Sequence, residues 1–279
     1  MVTSRTSGLR KRSPIVDGIY YPESPATLAE MLSSWGLREN YSASGAQTIL
    51  APHGAWELTG DIAASAFAGV QKQRGGKSIS RVLLLGTHHH SDEAGIYLSE
   101  SASFETPLGN LKVDKRINLK LASCSTLIRI NDVPHLSEHS LEVLLPLVKY
   151  CFPDALIVPI LMSGGGASLI SALARALKIT IEKYIEECLI IISSSVSQNS
   201  DPVLALAMAE EFNALLEGMD SQAFLARLAE GRISACGGAL MGAMLESGLM
   251  EGKRFSALLP MLQGQEEQGE TVYYGAFGA

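Results

Sequence analysis

The chain has 279 residues, of which 47% are hydrophobic and 18% charged, with a formal net charge of −7. That composition excludes a disordered chain and supplies a sizeable core, and the acidic balance argues against nucleic acid or an anionic membrane as partner. The four cysteines, Cys124, Cys151, Cys188 and Cys236, form no CxxC pair and are too sparse for a disulfide framework, which points to free thiols in a reducing cytoplasm.

Residues 1–13, with Arg5, Arg10, Lys11 and Arg12, read as a flexible basic tail, and no apolar run of signal-peptide length follows. Residues 14–279 read as a single α/β domain. In chain order the pattern predicts a helix over 25–34, a loop over 38–47, a strand over 48–51 and a helix over 60–73. A loop over 74–80 leads to strands at 81–86 and 95–98. A helix over 140–151, a strand over 155–161, a helix over 168–181 and a strand over 188–193 follow. Helices over 202–217, 222–229 and 237–246, a loop over 264–270 and a strand over 271–277 complete the chain. The runs VLLLG, LIVPIL and LIIIS are apolar on both faces, as strands covered on both sides should be. Asp201-Pro202 is a helix start, an N-cap carboxylate before a proline at the first position. Strands alternating with helices imply a three-layer sandwich, a mostly parallel sheet flanked by helices. No apolar stretch is long enough to span a bilayer.

In such a sheet ligands bind beyond the carboxyl ends of the strands. All six histidines fall in a few short stretches. His53 follows the strand at 48–51, and His88, His89 and His90 follow the strand at 81–86, so these two groups converge on one edge. His135 and His139 lie in PHLSEHSLE, where Glu138 and His139 precede a helix that Ser140 would cap. Cys236, in ISACGGALM, stands at a helix start, which stabilises a thiolate, although on composition alone it reads as a small buried residue. Cys124, Cys151 and Cys188 are assigned to packing. The run MSGGGAS (162–168) reads as a tight strand-to-helix turn, since it lacks both GxGxxG spacing and a P-loop lysine.

At these residues the sequence resembles the Memo family, nearly end to end. GIYYP (18–22), APHGAW (51–56), LLGTHHH (84–90), FETPLGNLKVD (104–114), HLSEHSLEVLLPLV (135–148), FPDALIVPIL (152–161), IISSSVSQN (191–199), ACG (235–237) and TVYYGAF (271–277) stand in the family's order. The resemblance implies a fold like that of class III extradiol dioxygenases. It also implies a metal-capable cleft whose ligands fall on His53, His89 and Cys236. Two imidazoles and a thiolate suit iron or copper, and zinc less well where redox chemistry is wanted. His139 and Glu138 are the expected catalytic or orienting groups, and Trp56, His88, His90, Ser195 and Gln198 the expected cleft residues. The family's aspartate and histidine in its SSDFSHY run are Ser195 and Gln198 here, which removes a carboxylate and a proton carrier. Two readings follow: metal-dependent redox or dioxygenase-like chemistry, or a non-catalytic protein holding a peptide or small molecule. The second reading has a parallel in the family's animal members, which bind phosphorylated peptides in signalling. A third, a Cys236–His53 hydrolase, needs the two side chains within hydrogen-bond reach. The length and apolar content allow a homodimer.

Overall fold

In the computed structural model, residues 10–37, 45–70, 73–74, 77–90, 93–265 and 269–279 are described. Within them an eight-stranded sheet is built from β1 (Thr48–Ala51), β2 (Arg81–Thr87), β3 (Gly95–Leu98), β4 (Ile128–Ile130), β5 (Leu156–Ser163), β6 (Cys188–Ser193), β7 (Ser256–Ala257) and β8 (Phe277–Gly278). The spatial order is β7-β8-β1-β6-β2-β5-β3-β4. The four central strands, β1, β6, β2 and β5, run parallel. The flanks reverse direction: β8 is antiparallel to β1, and β3 to β5.

The doubly apolar runs have a direct consequence. Successive side chains alternate across a strand, so each central strand feeds two cores. Leu83 and Leu85 of β2, Val158 and Ile160 of β5, and Ile190 and Ile192 of β6 enter one core. Val82 and Leu84, Ile157 and Leu161, and Leu189 and Ile191 enter the other. Burying each such side chain contributes about 1.5–3 kcal/mol.

Nine helices lie among the described residues: α1 (Pro25–Ser34), α2 (Trp56–Ala68), α3 (Lys115–Ser123), α4 (Val133–Ser137), α5 (Leu145–Cys151), α6 (Ala167–Ile181), α7 (Pro202–Gly218), α8 (Ser221–Ala229) and α9 (Gly238–Glu246). Helices α3, α6, α7, α8 and α9 cover the first core, through residues such as Ile117, Leu173, Phe212, Phe224 and Met241. Helices α1, α2 and α5 cover the second, through Leu28, Phe67 and Leu147. The result is the three-layer sandwich. Asp201 caps α7 as expected, its carboxylate accepting from the Val203 N–H at 2.9 Å.

Several expectations need correction. The segment predicted as one helix over 140–151 is a 3-10 turn, Glu142–Leu144, followed by α5. Pro146 has no N–H to continue a helix from upstream and instead stands in the first turn of a new one. Ser140 therefore caps nothing: its N–H donates to Glu138 at 2.8 Å and its hydroxyl to the Thr87 carbonyl at 2.9 Å. The strand predicted over 271–277 is two strands, Thr271–Tyr274 in a small antiparallel sheet and β8 in the main one. The chain turns between them at Gly275, where a Cβ would meet the Phe277 ring at 2.9 Å and Val196 at 3.0 Å. Helix α2 begins at Trp56 rather than 60 and ends at Ala68.

Of the predicted tail, residues 1–9 lie outside the described residues. Arg10–Ser13 do not behave as a tail: Lys11–Arg12 pairs with Ser103–Phe104, and the Arg12 side chain is 2% exposed. Residues 38–44, 75–76 and 266–268 of the predicted loops also lie outside the described residues. Around them, Gln73–Arg74 pairs with Lys77–Ser78, and Leu262–Gln265 is a strand.

Candidate metal centre

The parallel order β1-β6-β2 brings three carboxyl ends side by side. His53 leaves β1, Ser193 ends β6, and His88–His90 leave β2. The loop before α9 adds Cys236, held by the Thr87 hydroxyl donating to its carbonyl at 2.6 Å. One donor atom each from His53, His89 and Cys236 lies within 4.8 Å of the others.

Each imidazole is committed on its far side. Ser193 Oγ donates to the Ser140 carbonyl at 2.5 Å, so toward His53 it can only accept. His53 Nδ1–H fills that role at 2.8 Å, which leaves Nε2 facing Cys236 Sγ at 3.8 Å. His89 Nδ1–H donates to Glu138 Oε1 at 3.1 Å, and the His89 main-chain N–H to Glu138 Oε2 at 2.7 Å. Hydrogen bonding of one ring nitrogen to a carboxylate or hydroxyl is how a metal-binding histidine is usually oriented.

Cys236 Sγ accepts from the Ser195 N–H at 3.1 Å and the Ser195 hydroxyl at 3.3 Å. Burial pushes this thiol up, but the neighbouring His53 and His89 and the Ser195 donors outweigh it and hold its pKa well below the usual thiol range. Burial likewise opposes charge on His89. The Cys236 thiolate and the Glu138 carboxylate override it and push His89 up to about 10. Without metal, each of the two groups thus favours the charged form of the other, the thiol shifted down and the His89 imidazole up.

Glu138 is buried and heavily used. Oε1 accepts from the His89 ring and the Ser140 N–H, and Oε2 from the His89 N–H. Desolvation raises its pKa, but these donors prevail and keep it below the usual carboxylate range. Its atoms also lie close enough to His89 and His139 to form a second ligand group. With three of its roughly four lone-pair positions taken by these donors, two of them from His89, Glu138 orients His89. His139 packs on His89 at 5.6 Å between ring centroids, and Tyr20 packs on His139 at 5.0 Å. Burial, followed by the neighbouring His53, lowers the His139 pKa to about 4, so its ring is neutral near pH 7.

The other expected cleft residues are placed differently. Trp56 is buried in the second core between Tyr21 and Trp35, its indole N–H donating to the Val143 carbonyl at 3.2 Å. Gln198 is tied away, its amide donating to Glu270 at 2.5 Å. His88 points inward, 8% exposed, with neither ring nitrogen hydrogen-bonded. His90 is exposed, its ring 6.5 Å from that of His89. Only Ser195 touches the cluster. Contributors that went unread in the sequence include Ser193 and Tyr20. Ser193 sits in a run of three serines with nothing to mark it. Tyr20 lies in GIYYP, a motif with no chemistry of its own.

The donor set fits a transition metal. Metal–nitrogen bonds near 2.0 Å and metal–sulfur bonds near 2.3 Å place tetrahedral N and S ligands about 3.6 Å apart; the His53–Cys236 separation is 3.8 Å. The profile of the Memo-like protein family matches residues 12–271. The chain belongs to that family. A MEMO1 family protein from Saccharolobus solfataricus is 29% identical over 244 residues, covering 81% of this chain and 84% of its own. One from Nitrosopumilus maritimus is 24% identical over 276 residues, covering 96% and 98%. As a Memo-like protein, the chain carries a His/His/Cys group that could bind a metal ion.

Proposed function

We propose that this Memo-like protein is a metal-dependent redox protein, with iron or copper held by His53 Nε2, His89 Nε2 and Cys236 Sγ. One observation carries the reading: three donors of suitable chemistry converge while the opposite nitrogen of each imidazole is already bonded. Such a metal, with three protein ligands and further positions open, would supply oxygen or electron-transfer chemistry of a dioxygenase-like kind. The chain's own residues would do the rest. Glu138 and Ser193 fix the two ring orientations, Ser195 supports the thiolate, and neutral His139 offers a proton acceptor beside the pair. Zinc suits the ligands but brings no redox chemistry.

The ligand taken at this edge would be a small molecule or a peptide, in a reducing cytoplasm, with neither nucleic acid nor membrane as partner; a homodimer is compatible with this. No helix among the described residues is long and apolar enough to cross a membrane. A second reading, a non-catalytic binding protein, is favoured by Ser195 and Gln198. Both side chains bond within the protein, and neither supplies a carboxylate or a proton carrier.

The test is metal content of untagged protein before and after anaerobic loading with Fe(II) or Cu(I), then oxygen consumption with catechols. Near-stoichiometric metal with oxygen uptake supports the redox reading. Metal retained by a His89→Ala, Cys236→Ser double variant would sink the site assignment, and absence of both metal and oxygen uptake would favour the binding protein.

A further inference from the structure

The centre described above rests on a residue far from it in sequence. Arg12 lies in the short strand Lys11–Arg12, beside Ser103–Phe104, with its guanidinium over the Phe104 ring at 5.6 Å to the centroid. Its Nε–H donates to the His135 carbonyl at 2.9 Å and an Nη2–H to the Glu138 carbonyl at 2.9 Å. Nη1 donates to the Glu142 carboxylate. Those acceptors bracket the segment that orients His89. Glu138 is thereby gripped at both ends: Arg12 holds its carbonyl, while its carboxylate holds the His89 ring and main-chain N–H.

Glu142 extends the clasp along the N-terminal segment. Its carboxylate also accepts from the main-chain N–H of Ile15 at 2.8 Å and Val16 at 2.9 Å, and from the Tyr21 hydroxyl at 3.0 Å. Between these anchors the segment carries Tyr20, whose ring packs on His139 and whose carbonyl takes the Trp56 N–H at 2.8 Å, at the foot of the His53 loop. An ion pair alone would need only a charge. The two main-chain carbonyls need a planar fork with several fixed donors, which arginine has and lysine lacks.

We infer that Arg12 is a positioning residue for the metal centre: it sets the main chain at His135 and Glu138, and through Glu138 the orientation of His89. This rests on the metal-centre reading above, and the site it serves belongs to that reading. Arg12, which falls in the stretch that reads as a tail in sequence, is in this account part of the centre's support.

The test compares Arg12→Lys, which keeps the charge but not the fork, with Glu142→Gln, which breaks the ion pair but leaves the carbonyl contacts. Long-range proton–nitrogen correlation spectra of the metal-free full chain report the His89 Nδ1–H bond directly. Co(II) titration then reports affinity. Arg12→Lys is expected to lose or broaden the His89 Nδ1–H signal and to weaken Co(II) binding about tenfold or more, the usual effect of losing an outer-shell partner. Glu142→Gln is expected to lower thermal stability while leaving the signal in place. An unchanged His89 signal in folded Arg12→Lys overturns the inference, as does an equal loss in Glu142→Gln. If Arg12→Lys does not fold, the charge-balanced Arg12→Gln, Glu142→Gln double variant is read by the same criterion. Wild-type protein that shows the His89 signal but binds no Co(II) would count against the metal function alone, and the signal would still decide on Arg12.

Discussion

Ser193 gives its proton to the Ser140 carbonyl and has only lone pairs left for His53, so a single hydroxyl determines which nitrogen of that ring faces Cys236. Ser193→Ala should therefore weaken Co(II) binding about tenfold to a hundredfold. The Ser140 carbonyl, left without that donor, should cost about 1 kcal/mol of stability. A Co(II) titration beside a thermal melt separates the two effects, and unchanged affinity would show that His53 needs no such partner. At this scale the three residues that could hold a metal were legible through the family resemblance, because APHGAW, LLGTHHH and ACG carry them. The residues that aim them were not. Glu138 could be named from its place beside His139, but Ser193 looks like any serine at a strand end. Gln198 shows the opposite failure: it occupies a motif position, yet its side chain is spent on Glu270.

Among the elements, the loop that brings Cys236 to the strand ends depends on Gly237. Its N–H donates to Ser194 Oγ at 2.7 Å, and a Cβ there would meet Ser194 Cβ at 2.7 Å and the Ser193 carbonyl at 3.1 Å. Gly237→Ala should push this loop from β6 at a cost of about 1–3 kcal/mol, and metal affinity should fall with it. Equal Co(II) affinity in the variant would mean that the loop accommodates the methyl without moving Sγ. The buried strands β2, β5 and β6 were readable because their apolar runs have no other use than a sheet covered on both faces. By contrast α3, β4 and α4 were missed. In α3 the inward face is only Ile117, Asn118 and Leu121 among basic residues, and β4 shows one buried residue, Ile128. Pro146 splits the stretch read as one helix over 140–151, and the long apolar run around it hid the break.

For the molecule as a whole, acid stability carries the mark of His135. It is 1% exposed, and its Nε2–H donates to the Tyr97 carbonyl at 3.1 Å. Burial, helped by the facing Arg12 and His88 and opposed by the Tyr97 carbonyl and Asp132, lowers its pKa to about 4. The unfolded chain's imidazole takes up its proton near the ordinary 6.5, the folded one only near 4. Stability from this group is therefore intact above about 6.5, falls as pH drops toward 4 and levels off below, by about 3 kcal/mol in all. His135→Gln should flatten that part of the pH dependence in urea melts at about pH 7 and about pH 4.5; an unchanged slope would assign it elsewhere. The sandwich was legible as a whole because strand and helix patterns alternate. The extent of the folded body was not, since nothing in a run of basic residues shows that Arg12 has a buried carboxylate waiting 130 positions away.

The central claim is that Cys236 Sγ and the two Nε2 atoms bind one metal together. The absorption spectrum of anaerobically loaded Co(II) protein tests it most directly, with Cys236→Ser in parallel. The account predicts one equivalent of cobalt with a thiolate-to-metal charge-transfer band in the near ultraviolet, absent from the variant. Cobalt bound without that band, or a band that survives in Cys236→Ser, would contradict it.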